Sequence, residues 1–310
     1  MDLSEITHPA LTPARVKTLA QFQIETLADL LSNPAESIAR ILNISYTQAV
    51  ELVDMLFRDF APFPVMCVEL YQNQVKTECV IKTGSALDSL LAGGFKTGSV
   101  YEVYGLPGVG KSQLCMTIAV SCSLEHGKQS VLYIDTKNDL SAERMLEILQ
   151  ARTGSPTNLS LLSSIHVGKL FCTDTIINTL SNVVSSFPTD MKELKLIILD
   201  NLFSPVRHLV DDEITAAFSA ATQITQLLLQ ICRKGVCIVT VNSSRLQDEE
   251  SLPSLGKLWA SLPDVRLNMD FVTSDSHQNF PQDQKRKITV VKGSLDKPIC
   301  DFIIDSSGVS

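Results

Sequence analysis

The stretch Ser99–Cys115, SVYEVYGLPGVGKSQLC, decides the fold. Its first part, SVYEVYG, is a short apolar run rich in valine and tyrosine, which predicts a buried strand. Its second part has the spacing Gly105-x-x-x-x-Gly110-Lys111-Ser112. The segment KSQLCMTIAVSCSLEHG, which continues from Lys111, predicts a helix ending near Gly127. Strand, glycine-rich turn and helix in that order make a phosphate-binding loop. The glycines let backbone N–H groups face phosphate with no side chain in between. The helix start directs its positive dipole end at the same anion. Lys111 is placed to reach β- and γ-phosphate oxygens and Ser112 to ligate Mg²⁺. Gly105, Leu106, Pro107, Gly108, Val109, Gly110, Lys111, Ser112 and Gln113 are therefore the candidate nucleotide-binding residues, with ATP and Mg²⁺ as the cofactors.

Outward from this loop, strand and helix patterns alternate. SVLYIDT is a strand and SAERMLEILQART a helix capped by Ser141. SSIHVG, LKLIILD and VCIVTVN are further strands, separated by the helices DTIINTLSNVVSS and DDEITAAFSAATQITQLLLQICRKG. Continuous apolar strands between helices predict a mostly parallel sheet covered on both faces. From about 265 the chain (VRLNMDFV, KRKITVVKG, ICDFIID) alternates without helices, which predicts antiparallel additions at a sheet edge. LKLIILD ends in Asp200. Ligands of such sheets bind at the carboxyl ends of strands, so Asp200 is the second candidate for the Mg²⁺ shell.

Residues 1–58 carry helix starts at Thr12-Pro13, Asn33-Pro34 and Ser45, and read as a small all-helical domain. Its turn ILNISYTQA has Asn43 where a glycine would let the backbone approach DNA phosphate, so a packing role is the first expectation. Residues 59–78 have two prolines and no clean period, and read as a linker holding Phe60 and Phe63. These rings either pack on their own domain or enter a pocket of a neighbouring subunit. Residues 79–310 form the α/β core.

The chain is 45% hydrophobic and only 19% charged, which excludes wholesale disorder. Its net charge of -8 disfavours a protein that coats nucleic acid by itself, while leaving room for a local basic groove. The eight cysteines form no C-x-x-C pair and sit mostly in apolar stretches, so they read as small buried hydrophobes of a reducing compartment. No signal pattern and no apolar run of about 18 residues occurs, which points to a soluble intracellular chain without a membrane partner.

A longer pattern is also present. KTGSALDSLLAGGFKTGSVYEVYGLPGVGKSQLC, then YIDT…SAERM, then LWASLPDVRL resemble the ATPase core of the RecA-like strand-exchange recombinases of eukaryotes, over roughly 78–305. The linker FAPFPV and the segment LGKLW make the chain most similar to that family's paralogues, nearest the D type. The resemblance implies a RecA-like P-loop ATPase core behind a small helical domain. It implies a nuclear protein of homologous-recombination DNA repair, in hetero-oligomers with other paralogues and weakly bound to single-stranded DNA. Arg144 matches an arginine that stacks on adenine; by itself it reads as a solvated helix face. Arg207 matches an arginine of the first DNA loop, where Asp211, Asp212 and Glu213 oppose phosphate. Arg245, Lys257 and Trp259 are the DNA candidates of the second loop, with Trp259 equally suited to a subunit interface.

Two departures from the family pattern bear on turnover. Lys137 stands where the active recombinases carry the glutamate that positions the attacking water. A protonated amine cannot take that role. Ser243 stands where the family has a γ-phosphate-sensing glutamine, beside a retained Asn242. No residue is thus a confident catalytic candidate. An ATP binder that assembles with paralogues, with slow hydrolysis at most, is the first expectation. The alternatives are a competent DNA-stimulated ATPase that takes its carboxylate from elsewhere, such as Glu102 or a partner subunit, and a P-loop ATPase unrelated to DNA.

Overall fold

The computed structural model describes residues 3–60, 64–126, 130–155, 159–185, 193–202, 204–206, 214–247, 250–253, 259, 261–272, 285–293 and 298–310. The chain forms two units, Met1–Asn73 and Gln74–Ser310.

The first unit is helical. Helix α1, Pro13–Ala20, starts with Pro13 inside the cap Thr12, as read from the sequence. Helix α2, Leu27–Ser32, opens with a reciprocal cap: Thr26 Oγ1 accepts from Asp29 N at 3.1 Å, and Asp29 Oδ2 accepts from Thr26 N at 2.9 Å. Helix α3, Ala35–Leu42, begins after Pro34 without a side-chain cap. Asn33 does not open it; its side chain donates to Asp29 O at 2.8 Å and closes α2 instead. Asn43 ends α3 in the left-handed region at φ 52°, a conformation asparagine tolerates better than other side chains. Helix α4, Tyr46–Phe60, is entered through Ser45 and Gln48, which cap each other's backbone N–H. Leu19, Leu30, Ile38, Ala49, Leu52 and Leu56 form the unit's core, and Phe60 packs back on it with its ring 5.8 Å from that of His8. Within the stretch read as linker lies helix α5, Cys67–Thr77.

The second unit starts with a small ladder of β1 (Val80–Ile81) and β2 (Phe95–Lys96), around helix α6 (Ala86–Leu90). Then come β3 (Val100–Gly105), α7 (Lys111–His126), β4 (Ser130–Asp135), α8 (Ala142–Thr153), α9 (Leu159–Leu162), β5 (Ile165–Lys169), α10 (Thr173–Ser185) and β6 (Leu194–Asp200). Helix α11 (Ile214–Arg233) leads to β7 (Cys237–Gln247), β8 (Glu250–Pro253), β9 (Val265–Phe271), β10 (Arg286–Lys292) and β11 (Ile299–Phe302). A last hairpin joins β12 (Ile304–Asp305) to β13 (Gly308–Val309).

The main sheet runs β11-β10-β9-β3-β7-β6-β4-β5, with β8 alongside β7. Strands β5, β4, β6, β7, β3 and β9 are mutually parallel. The antiparallel additions are β10 and β11. The first strand of the tail thus differs from expectation, since β9 lies parallel to β3 from Tyr101↔Val265 to Gly105↔Met269. Alternating polarity reports a pleated strand but carries no strand direction, and Leu267 and Met269 bury β9 against the core either way.

Strand side chains split between the two faces. On β6, Leu196 and Ile198 enter one core with Leu114, Ile118 and Ile148 of α7 and α8. Ile197 and Leu199 enter the other with Ile176, Ile224 and Leu228 of α10 and α11. Burial on both faces explains why these strands read as unbroken apolar runs. The parallel order β3-β7-β6-β4 brings the carboxyl ends of these strands to one edge of the sheet, where the site is built. No described helix is long and apolar enough to cross a membrane.

Candidate nucleotide site

Strand β3 ends at Gly105 and α7 begins at Lys111, so the loop between them lies over the sheet's carboxyl edge. Gly105 is dictated by close approach, because a Cβ there would stand 2.2 Å from the backbone carbonyl Met269 O. Gly110 has φ +105°, a conformation that selects glycine. Gly108 has φ +79° with open space around it, so backbone conformation alone selects glycine there. Lys111 Nζ donates to Gly105 O and Leu106 O, both at 2.8 Å, and so curls back over the loop. Burial lowers the Lys111 ammonium to about 8, the nearby Lys137 charge adds to this, and Asp200 opposes it.

Asp200 lies opposite Asp135 in the parallel register of β6 and β4. It is 5% exposed, and burial raises its carboxyl above the ordinary range. Hydrogen bonds from the Ser112 and Tyr133 hydroxyls work against that rise. Tyr133 Oη donates to Asp200 Oδ2 at 2.9 Å. Ser112 and Asp200 are thus in hydrogen-bonding contact, which unites the two Mg²⁺ candidates. A hydroxyl and a carboxylate beside open loop N–H groups suit a hard, largely hydrated Mg²⁺ and a polyphosphate. They are a poor set for a softer metal.

Lys137 stands immediately past β4. Asp135 Oδ1 accepts the backbone N–H groups of Lys137 at 3.0 Å, Asn138 at 2.8 Å and Asp139 at 3.3 Å, while Oδ2 accepts Leu140 N at 3.1 Å. Thr136 is tied to the next strand by Thr136 Oγ1 to Asn201 O and Asn201 N to Thr136 Oγ1, each 2.7 Å. Lys137 therefore projects from a fixed base. Its side chain is exposed, and its charge acts on both Lys111 and Asp200. Lys169 Nζ, at the end of β5, donates to Asn138 Oδ1 at 2.6 Å beside it. Lys137 thus presents a cation from a backbone held by the Asp135 carboxylate.

Arg144 sits in the first turn of α8, where its N–H donates to the cap Ser141 Oγ at 3.1 Å. Its guanidinium donates to Gln113 Oε1 at 2.8 Å, pairs with Glu147 at 2.7 Å and reaches the carbonyls of Asp305 and Ser306. It links α7, α8 and the last hairpin, with its side chain 16% exposed. The solvated helix face suggested by the bare sequence does not describe it.

Glu102 cannot serve as the substitute carboxylate. It is fully buried on β3 and accepts from Asn242 Nδ2 at 2.9 Å, Trp259 Nε1 at 2.6 Å and Arg266 Nε. The same network corrects the reading of Trp259. At 3% exposure, with its N–H held by Glu102, the indole is core and has no face for a base or another subunit. Ser243 Oγ accepts from Asn201 Nδ2 at 3.2 Å, which joins the middle of β7 to the residue just past β6. Arg245 pairs by backbone with Leu252 in the β7–β8 ladder, and its side chain is outside the described residues. So are Arg207, Lys257 and Phe63.

Tyr133 and the Asp135 cradle escaped the sequence reading, because their partners, Asp200 on the neighbouring strand and the backbone N–H groups of the turn after β4, appear only in the fold. Glu102 left a signal: a carboxylate inside VYEVYG needs partners if the strand is buried.

The Rad51 family model matches residues 74–243. The chain is 30% identical to DNA repair protein RAD51 homolog 4 of Bos taurus over 276 residues, which spans 86% of this chain and 84% of that protein. It is 31% identical to the Mus musculus protein of the same description, over 84% of this chain and 82% of the relative. Against DNA repair protein RAD51 homolog 2 of Homo sapiens it is 29% identical over 63% of this chain and 54% of the relative.

Proposed function

The chain belongs to the Rad51 family, beside the paralogues of DNA repair by recombination, and from that membership we propose that it binds ATP in order to assemble rather than to turn it over. The observation that carries this reading is Lys137 beside an intact phosphate loop. The loop, Lys111, Ser112 and Asp200 supply what nucleotide binding needs, and the cation at 137 lacks what water activation needs.

In this reading the loop amides hold the phosphates, Lys111 leaves its two carbonyls for the phosphate oxygens, and Lys137 offsets terminal phosphate charge. Ser112 and Asp200 hold Mg²⁺, which supplies charge neutralisation between the phosphates when bound. Arg144 offers a guanidinium plane to the adenine. The bound nucleotide then acts as a brace at an interface with another paralogue, and the complex promotes recombinase filaments on single-stranded DNA in the nucleus. Hydrolysis is weak in this reading because Lys137, a cation, stands where a general base would face the terminal phosphate.

The reading is tested by ATP affinity of the full chain and its Lys111→Ala variant, together with co-purification of paralogues with and without ATP. Loss of ATP affinity in the variant and nucleotide-dependent capture are the expected outcomes. Unchanged affinity, or isolation as a monomer whatever the nucleotide, contradicts it.

A further inference from the structure

At the amino ends of β3, β7 and β6, the edge of the sheet opposite the phosphate loop, lies a cleft of about 740 Å³. Along β6 the cleft residue Lys195 is separated from Asp200 by about 17 Å, at ~3.3 Å per residue. Lys96, Lys195, Arg233 and Lys234 line it, and Glu78 is the acidic residue among the described ones in its wall. In a chain of net charge -8 this is a local inversion of sign.

Helix-end electrostatics explains only part of it. Lys234 donates to Val184 O and so caps α10, an ordinary use of a lysine near a helix end. Lys96 and Lys195 lie on strands, where no helix dipole calls for a cation. Among the described residues no carboxylate lies within ion-pair distance of Lys195 or Arg233. Glu78 meets Lys96 at 3.8 Å with both side chains about two-fifths exposed, a weak pair in water. Asp264, on the same edge, gives its carboxylate to Val100 N at 2.8 Å. At the end of α11, Ile231 O accepts from Lys234 N and Cys232 O from Gly235 N.

We propose that this cleft grips the phosphates of a duplex DNA backbone without reading bases. Concave low-dielectric walls concentrate the field of the four cations. Lysine and arginine contacts to phosphate give affinity without sequence information. None of the described wall residues is aromatic, so the stacking platform that a single strand uses is missing. The site is separate from the nucleotide loop.

The test measures anisotropy of a labelled mixed-sequence duplex on the full chain across a salt series. Lys195→Gln/Arg233→Gln removes two contacts and lowers the slope of log K against log salt by about 1.8, at roughly 0.9 per phosphate contact on duplex DNA. Glu78→Gln acts in the other direction and tightens binding, so it carries the test if the double variant fails to fold. Far-UV circular dichroism monitors folding, and ATP affinity, expected to be unchanged, reads the nucleotide site separately. The proposal is overturned by any of three results: no duplex binding by the unaltered chain at low salt, an unchanged slope in a folded double variant, or no tightening in Glu78→Gln. A loss confined to oligo(dT) overturns the duplex assignment. A polyglutamate peptide released by the double variant while duplex binding persists gives the cleft to an acidic protein instead.

Discussion

Tyr133 Oη donates to Asp200 Oδ2 at 2.9 Å, from β4 to its neighbour β6. The bond keeps a buried carboxylate aimed at Ser112 and lowers a carboxyl that burial alone pushes up. Tyr133→Phe removes the donor and leaves the ring. The account predicts a loss of about 1.5–3 kcal/mol in stability by denaturant titration, the range for one hydrogen bond to a charged group. It also predicts a weaker Mg²⁺ dependence of ATP binding, with the affinity in EDTA unchanged.

Lys111 gives a pH signature. Its ammonium is lowered to about 8 in the fold, from an ordinary value of 10.5. Between these values the unfolded chain binds more protons, so stability rises with pH from about 8 to about 10.5. Phosphate beside the amine reverses the shift, so ATP binding near pH 8 takes up a proton. Calorimetry in two buffers of different ionisation enthalpy detects this uptake, and Lys111→Met abolishes it.

The Glu102 network holds β3, β7 and β9 together from within. Glu102→Ala removes the carboxylate that Arg266 pairs with and costs about 3–5 kcal/mol, the usual penalty for breaking a buried pair from one side. Thermal unfolding measures it. Trp259→Phe, which keeps most of the ring and loses one hydrogen bond, costs less.

Arg152 donates to Thr83 O at 2.7 Å, Ser121 Oγ at 2.8 Å and Ser307 O at 2.7 Å, so one side chain fastens the β12–β13 hairpin to the core. Gly308 sits so close to α7 that a Cβ would fall 2.2 Å from Thr117 Oγ1. Arg152→Ala and Gly308→Ala both loosen this hairpin. Each is expected to raise hydrogen exchange in residues 304–310, and to weaken ATP binding because Arg144 loses the carbonyls of Asp305 and Ser306.

The phosphate loop, its flanking strand and helix, and Asp200 were legible in the sequence because glycine spacing and apolar runs are local signals. Trp259 was misread because its environment is set by Glu102, 157 positions away in the chain. The direction of β9 was hidden for the same reason, since pairing partners are not written into a strand's own pattern. Phe60 was ambiguous until the His8 ring and the α4 core gave it neighbours. The charged cleft was invisible because its residues come from four separate segments, at 78, 96–99, 195 and 232–235, that only the fold brings together.

The central claim is that Lys137 makes this chain hold ATP without spending it. Steady-state phosphate release from the purified chain with single-stranded DNA, compared with Lys137→Glu and Lys111→Ala, tests it most directly. The account predicts ATP binding by the unaltered chain, release close to the Lys111→Ala background, and a rise in Lys137→Glu. Turnover of about 1 per second or faster in the unaltered chain, an ordinary enzyme rate, with no gain in Lys137→Glu, would contradict it.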